Sequence, residues 1–275
     1  MDVGTRDETA ENSGAMLALK NTYLKTLKHT NETMNYNVIQ MSGGDLTMDY
    51  DQERTYFKGQ CIEYDTIDMY QVMVDIALEP RSVLAANVAR SKNSKSHDLD
   101  NHLHKFDPFS RSQELLLRTA YGYRTLGMPR LGMESNVGNL DARVLQQFIM
   151  DNITPKKCLI VASGIKNHKE YVELTKERLG DMLAVPEHQY RREASEYIGG
   201  EYRTWTESPQ TNIALAFESI PWSHEDVHAF YVMNTIIGSA TAFSSGGPGK
   251  GMYCRAVTGL MQQYDFIDSA SCINS

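Results

Sequence analysis

Phe243-Ser244-Ser245-Gly246-Gly247-Pro248-Gly249-Lys250-Gly251-Met252-Tyr253-Cys254-Arg255 is the stretch on which the reading of this chain turns. Four glycines, a proline and a lysine fill positions 246–251, directly after a helix-like segment. Glycine reaches backbone angles that other residues avoid and leaves main-chain N–H and C=O groups uncovered, so such a loop can lie flat against another polypeptide. On composition alone it is a flexible surface loop. It is not a Walker A phosphate loop, because Lys250 is followed by Gly251 rather than by Ser or Thr.

The bulk properties narrow the function classes. The chain has 275 residues, of which 41% are hydrophobic, enough to bury the core of one large or two small domains. Its net charge of −8 argues against a general nucleic-acid binder and suits basic partners. Cys61, Cys158, Cys254 and Cys272 lie far apart with no C-x-x-C, so they form neither a zinc knuckle nor a disulfide framework and point to a reducing compartment. No apolar run reaches the roughly eighteen residues needed to span a bilayer.

Periodicity divides the chain into helices with a few strands. Met16, Leu17, Leu19, Tyr23, Leu24 and Leu27 recur at helical spacing over 13–28. A second helix runs over 31–41 and stops at Gly43-Gly44. Alternation over 46–62, broken by Asp51-Gln52-Glu53, predicts a hairpin. Helices follow over 66–78, with Pro80 just beyond, from 82 towards 103, over 110–121, over 140–152 with Asn139 as cap, and over 169–183. Cys158 to Gly164 reads as a short buried strand, and 197–206 and 211–218 as strands around Ser208-Pro209. Ser223 to Ile237 reads as a helix leading into the glycine loop, and Arg255 to Tyr264 as another. Mixed strands and paired long helices favour an α+β fold.

The ungapped run from Phe243 to Arg255 resembles the glycine-rich loop of alpha-type subunits of the mitochondrial processing peptidase, within the pitrilysin-type metallopeptidase family. The second core protein of respiratory complex III is a close member, often with a degenerate version of this loop. Tyr197-Ile198-Gly199-Gly200-Glu201 and Ala216-Phe217-Glu218-Ser219-Ile220-Pro221-Trp222 are similar to the opening of the family's second domain, so the resemblance covers most of the chain. It implies two homologous α/β roll domains, each a sheet backed by helices. The first would be nearly complete over 1–185, a linker would run over 186–196, and the second, truncated, would occupy 197–275 and carry the loop. The resemblance also implies that a targeting segment and two opening strands are missing upstream, with Met1 to Glu8 similar to the end of the second strand.

Active members of that family carry an inverted zinc motif, H-x-x-E-H, on the first helix, where one turn sets both histidines on one face and the glutamate activates the zinc-bound water. Aligned here, that motif falls on Met16-Leu17-Ala18-Leu19-Lys20, with both histidines and the glutamate replaced. The third ligand would fall near Lys95 and Ser96, and no glutamate occurs between Glu79 and Glu114. The expectation is a subunit of a metalloendopeptidase that itself has no catalytic residue and no metal ligand, zinc residing in the partner beta subunit.

A literal H-E-x-x-H occurs at His224-Glu225-Asp226-Val227-His228. Ser223 followed by Asp226 is a helix-start signal, however, which makes His224 and Glu225 first-turn residues of a solvated helix. No histidine or glutamate follows His228 to complete a site, only Asp265 and Asp268. His97, His102 and His104 cannot share one helical face at their spacing and read as polar surface.

The leading expectation is therefore a non-catalytic, presequence-recognising alpha subunit that pairs with a catalytic beta subunit. In it Gly246, Gly247, Pro248, Gly249, Lys250, Gly251 and Met252 would receive basic presequence peptides. The alternative is a structural core subunit of complex III, contacting other subunits of that complex, and one protein can serve both roles. Either way the resemblance implies the mitochondrial matrix or the matrix face of the inner membrane. A stand-alone zinc peptidase built on His224 and His228 is the reading from a third class.

Overall fold

The computed structural model describes residues 1–24, 37, 39–78, 108–136, 140–180, 192–205, 207–241 and 253–274. These form two compact units, Met1–Ala216 and Phe217–Ser275. Helices outweigh strands in a mixed helix-and-strand architecture.

In the first unit, helix α1 covers Ala15–Lys20, and strands β1 (Asp45–Tyr50) and β2 (Thr55–Gln60) form an antiparallel hairpin from Asp45↔Gln60 to Tyr50↔Thr55. The side-chain period of two holds along β1: Leu46, Met48 and Tyr50 are buried while the residues between them face out. Asp51 makes the turn, since its Oδ1 accepts from the N–H of both Glu53 and Arg54 at 2.7 Å. The expected hairpin is present. Helices α2 (Thr66–Leu78), α3 (Pro108–Tyr121), α4 (Ala142–Asn152) and α5 (His168–Gly180) follow.

Pro108 opens α3 at a position where a missing N–H costs nothing. The cap of α4 is Asp141, whose carboxylate accepts from Val144 N at 2.9 Å, and not Asn139, which lies outside the described residues. The expected helix over 31–41 lies largely outside them too, but its described end, 39–41, is helical and closes at Gly43, whose φ of 59° a side chain would resist. The pattern from 82 towards 103 is also outside them.

The core of this unit joins α1, β1 and α4. Met16, Leu145 and Phe148 are at most 1% exposed and pack with Val3, Met48, Tyr50 and Ile149. A second cluster gathers Ile39, Leu46, Met69 and Ile76 under α2. A third joins α2 to α5 through Tyr70 and Tyr171, whose rings meet edge-to-face at 5.2 Å. Gly14 (φ 98°) and Gly132 (φ 76°) let two loops touch backbone to backbone, since a Cβ on Gly132 would sit 2.5 Å from the Gly14 Cα. Thr125 adopts φ 47°, which is rare for a β-branched residue.

Among the described residues, 158–164, 197–205 and 211–218 carry no ladder where strands were expected, and Leu159 and Val161 are 82% and 80% exposed. An extended run becomes a strand when a neighbour takes its hydrogen bonds. Just before the first segment Asp2 N donates to Lys157 O (2.8 Å), and Ile198 and Gly199 both donate to one acceptor, Ala120 O.

The second unit is small. Helix α6 (Val227–Ile237) ends at Gly238, and strand β3 (Ser239–Thr241) pairs with β4 (Ser269–Ser271). A π-helical turn spans Val257–Met261 where a plain helix was expected. Ala240, Ala256 and Val257 are buried, and no residue of α6 is.

Candidate functional site

Gly246, Gly247, Pro248, Gly249, Lys250, Gly251 and Met252 all lie outside the described residues, and both flanks of the loop are described. On the incoming side Gly238, at φ 73°, turns the chain out of α6 and into β3. Gly238 O accepts from Cys272 N at 3.1 Å, which ties this corner to the chain just beyond β4. On the outgoing side Cys254 O accepts from Val257 N, from Thr258 N and from the Thr258 hydroxyl, so the return is anchored within one turn. Tyr253, the first described residue after the glycines, is 97% exposed. Both described flanks of the segment are thus held.

The aligned position of the family's zinc motif is α1. Met16, Leu17, Ala18 and Leu19 are each at most 8% exposed and belong to the apolar core. Lys20 ends the helix and points its ammonium to Asp49 Oδ1 at 3.4 Å. These side chains supply dispersion contacts and one cation, none of them an ordinary metal donor. Lys95 and Ser96, where the third ligand would fall, lie outside the described residues, as do His97, His102 and His104. Among the described residues, no three His, Cys, Asp or Glu side chains gather as a metal-binding group.

The H-E-x-x-H segment is placed differently from a zinc helix. Helix α6 begins at Val227, so His224 and Glu225 precede it and only His228 is helical. His224 Nδ1 accepts from Asp226 N at 3.1 Å, a local turn contact. The i, i+4 face on which a zinc pair depends is therefore not formed.

Periodicity did not mark the residues that hold α1 in place. Glu8, 6% exposed, receives the N–H of Gly14 on one carboxylate oxygen (2.9 Å) and that of Met16 on the other (2.8 Å). Burial pushes its carboxyl up to about 8, against the two N–H groups that draw it down, with Asp7 adding to the rise. Arg192 grips Asp7 with two parallel bonds, Nε to Oδ1 at 2.9 Å and Nη2 to Oδ2 at 2.8 Å. It also donates to Asp2 Oδ1 (2.7 Å) and Glu53 O (2.8 Å). Arg6 returns the tie, bonding Glu53, Glu193 O and Ser195 Oγ. The stretch 192–195, expected to be linker, is stapled to the start of the chain. Glu8 lies six residues ahead of its first contact, outside the reach of a capping box, and Arg192 is far off in sequence.

Met1 exchanges backbone bonds with Thr55 in both directions (2.7 and 2.9 Å), a β-type contact, before the chain turns into a 3₁₀ segment at Thr5–Asp7.

Residues 139–260 match the Peptidase M16 inactive domain family. Across its whole length the chain is 26% identical to the mitochondrial-processing peptidase subunit alpha of Solanum tuberosum, covering 54% of that protein. The subunit alpha of Bos taurus is 25% identical over 73% of the chain and 41% of its own length. A probable subunit beta of Schizosaccharomyces pombe is 27% identical over 87% of the chain and 53% of its own length. The chain spans about half the length of the curated relatives it matches. A chain of complex III2 from Candida albicans has a similar fold, at TM-score 0.68 and 16% identity, over 98% of this chain and 60% of that one. The chain is thus similar to mitochondrial-processing peptidase alpha subunits, and its residues 139–260 match the Peptidase M16 inactive domain model.

Proposed function

We propose that this chain is the non-catalytic, presequence-recognising alpha subunit of a mitochondrial processing peptidase, built of α/β roll domains and acting with a zinc-bearing beta subunit in the mitochondrion. The observation that carries this reading is α1: its aligned motif positions, Met16 to Leu19, are buried as core, and Lys20 is paired with Asp49. Whole-length similarity to alpha subunits supports the partner and the compartment. The glycine loop, with its uncovered backbone, receives the presequence, and the beta subunit cuts it.

The test is reconstitution of the chain, in a complete version of the subunit, with a zinc-bearing beta subunit. The chain alone binds a fluorescent presequence peptide without cleaving it, the beta subunit alone cleaves poorly, and the pair cleaves. Cleavage by the chain alone, or no gain on mixing, overturns the proposal. A structural role in complex III is the second reading, favoured by the fold likeness to the Candida albicans chain. Co-purification with the complex without any effect on presequence cleavage would select it.

A further inference from the structure

Two cations converge on one oxygen at the end of β1. Lys20 Nζ lies 3.4 Å from Asp49 Oδ1, and Arg130 Nη2 lies 3.9 Å from the same atom. That oxygen is already engaged, because it accepts from Tyr50 N at 2.9 Å. Charge-assisted hydrogen bonds close to about 2.7–2.9 Å when geometry allows, so both cations stand back from the acceptor they share.

The two heads are nevertheless held in place. Arg130 Nη2 donates to Tyr50 O at 3.1 Å, and Tyr50 Oη donates back to Arg130 O at 2.8 Å. Lys20 and Arg130 each lie 5.8 Å from the centre of the buried Tyr50 ring, within cation–π range. Arg130 Nε is buried with no hydrogen-bond partner among the described residues. Both side chains remain over a third exposed, so solvent and ligand can reach them. Two positive charges against one carboxylate leave a net charge of about +1 at a pre-positioned site.

We infer that Lys20 and Arg130 form a binding site for a carboxylate monoanion, which takes the place left by the long Asp49 contacts. A monoanion matches the residual charge, whereas a phosphate dianion would overshoot it. Arginine's planar fork fits a carboxylate, and lysine adds a point charge.

The experiment titrates the full chain with the peptide Ac-Gly-Glu-Gly-NH2, its Gln analogue and sodium acetate at low salt, by NMR of ¹³C-dimethylated lysines. The Lys20 resonance is expected to shift saturably with the Glu peptide and with acetate, and the Gln peptide to bind about tenfold more weakly. Arg130→Gln and Lys20→Gln each weaken the Glu peptide by a similar factor. Asp49→Asn removes the competing carboxylate and tightens it, a gain that loss of folding cannot produce. Equal affinity for the Glu and Gln peptides, no saturable shift with acetate, or an Asp49→Asn variant that binds more weakly would each overturn the inference.

Discussion

Arg192→Ala is expected to destabilise the first unit by about 3 kcal/mol. The size follows from burial: the Asp7 carboxylate is 6% exposed and the Arg192 side chain 22%. Removing one partner of a buried pair costs about 3–5 kcal/mol because the other charge is stranded, and the partial exposure of Arg192 favours the low end. Asp2 is 58% exposed, so its arm of the network adds under about 1 kcal/mol. Asp7→Ala leaves Arg192 with Asp2 and the Glu53 carbonyl and should cost less, about 2 kcal/mol. The double variant should fall well short of the sum, with a coupling near 2 kcal/mol. Urea denaturation of the full chain and its three variants, at low and high salt, reads all four corners of the cycle. The coupling should survive salt, since little water reaches the pair. A coupling under about 0.5 kcal/mol, or one abolished by salt, refutes the claim that this pair closes the unit.

Glu8 gives stability a pH dependence of unusual sign. Its folded carboxyl is raised to about 8 from an ordinary 4.5, so its stabilising contribution is full below pH 4.5 and is lost as pH rises through about 8. Relative to Glu8→Gln, the chain should lose up to about 5 kcal/mol across that window, read by denaturation midpoints, and parallel profiles would contradict it. Phe148→Ala, at a site 1% exposed, should cost about 3–5 kcal/mol in thermal or urea unfolding. The purified chain should carry no stoichiometric zinc by elemental analysis, and one zinc per chain lost on mutating His224 and His228 to Ala would reverse that. Deleting Gly246 to Gly251 in a complete version of the subunit should impair presequence processing while leaving beta-subunit pairing intact. Lys250→Ala should matter less, because a positive charge does not attract a basic peptide.

What could be read from the sequence was what is local. The hairpin over 46–62 announced itself by alternation and by Asp51, and α2 and α3 by apolar spacing and Pro108, because each depends on neighbours a few positions away. Strand assignments failed at 158–164, 197–205 and 211–218, where β-favouring composition is present and ladder partners are not among the described residues. At the candidate site, the apolar character of Met16 to Leu19 was legible as a substitution in a motif. The grip of Glu8 on α1 and of Arg192 on Asp7 was not, since polar ties between distant positions leave no period in a single sequence. His224 and His228 show the opposite error that a motif invites: the letters fit, and the helix starts three residues too late.

The Arg192–Asp7 clasp also sets an order of events on the ribosome. Its two ends are 185 positions apart. At about 5–20 residues per second, Asp7 waits about 10–40 s for its partner to be made. The β1–β2 hairpin, closed by its own short turn, has microseconds of work and ample time to form in that interval. The opening segment does not, because the Asp7 carboxylate is better hydrated in water than buried without the Arg192 cation. The segment that carries Asp7 therefore stays undocked in the nascent chain until Arg192 has been made, and this unit is completed late.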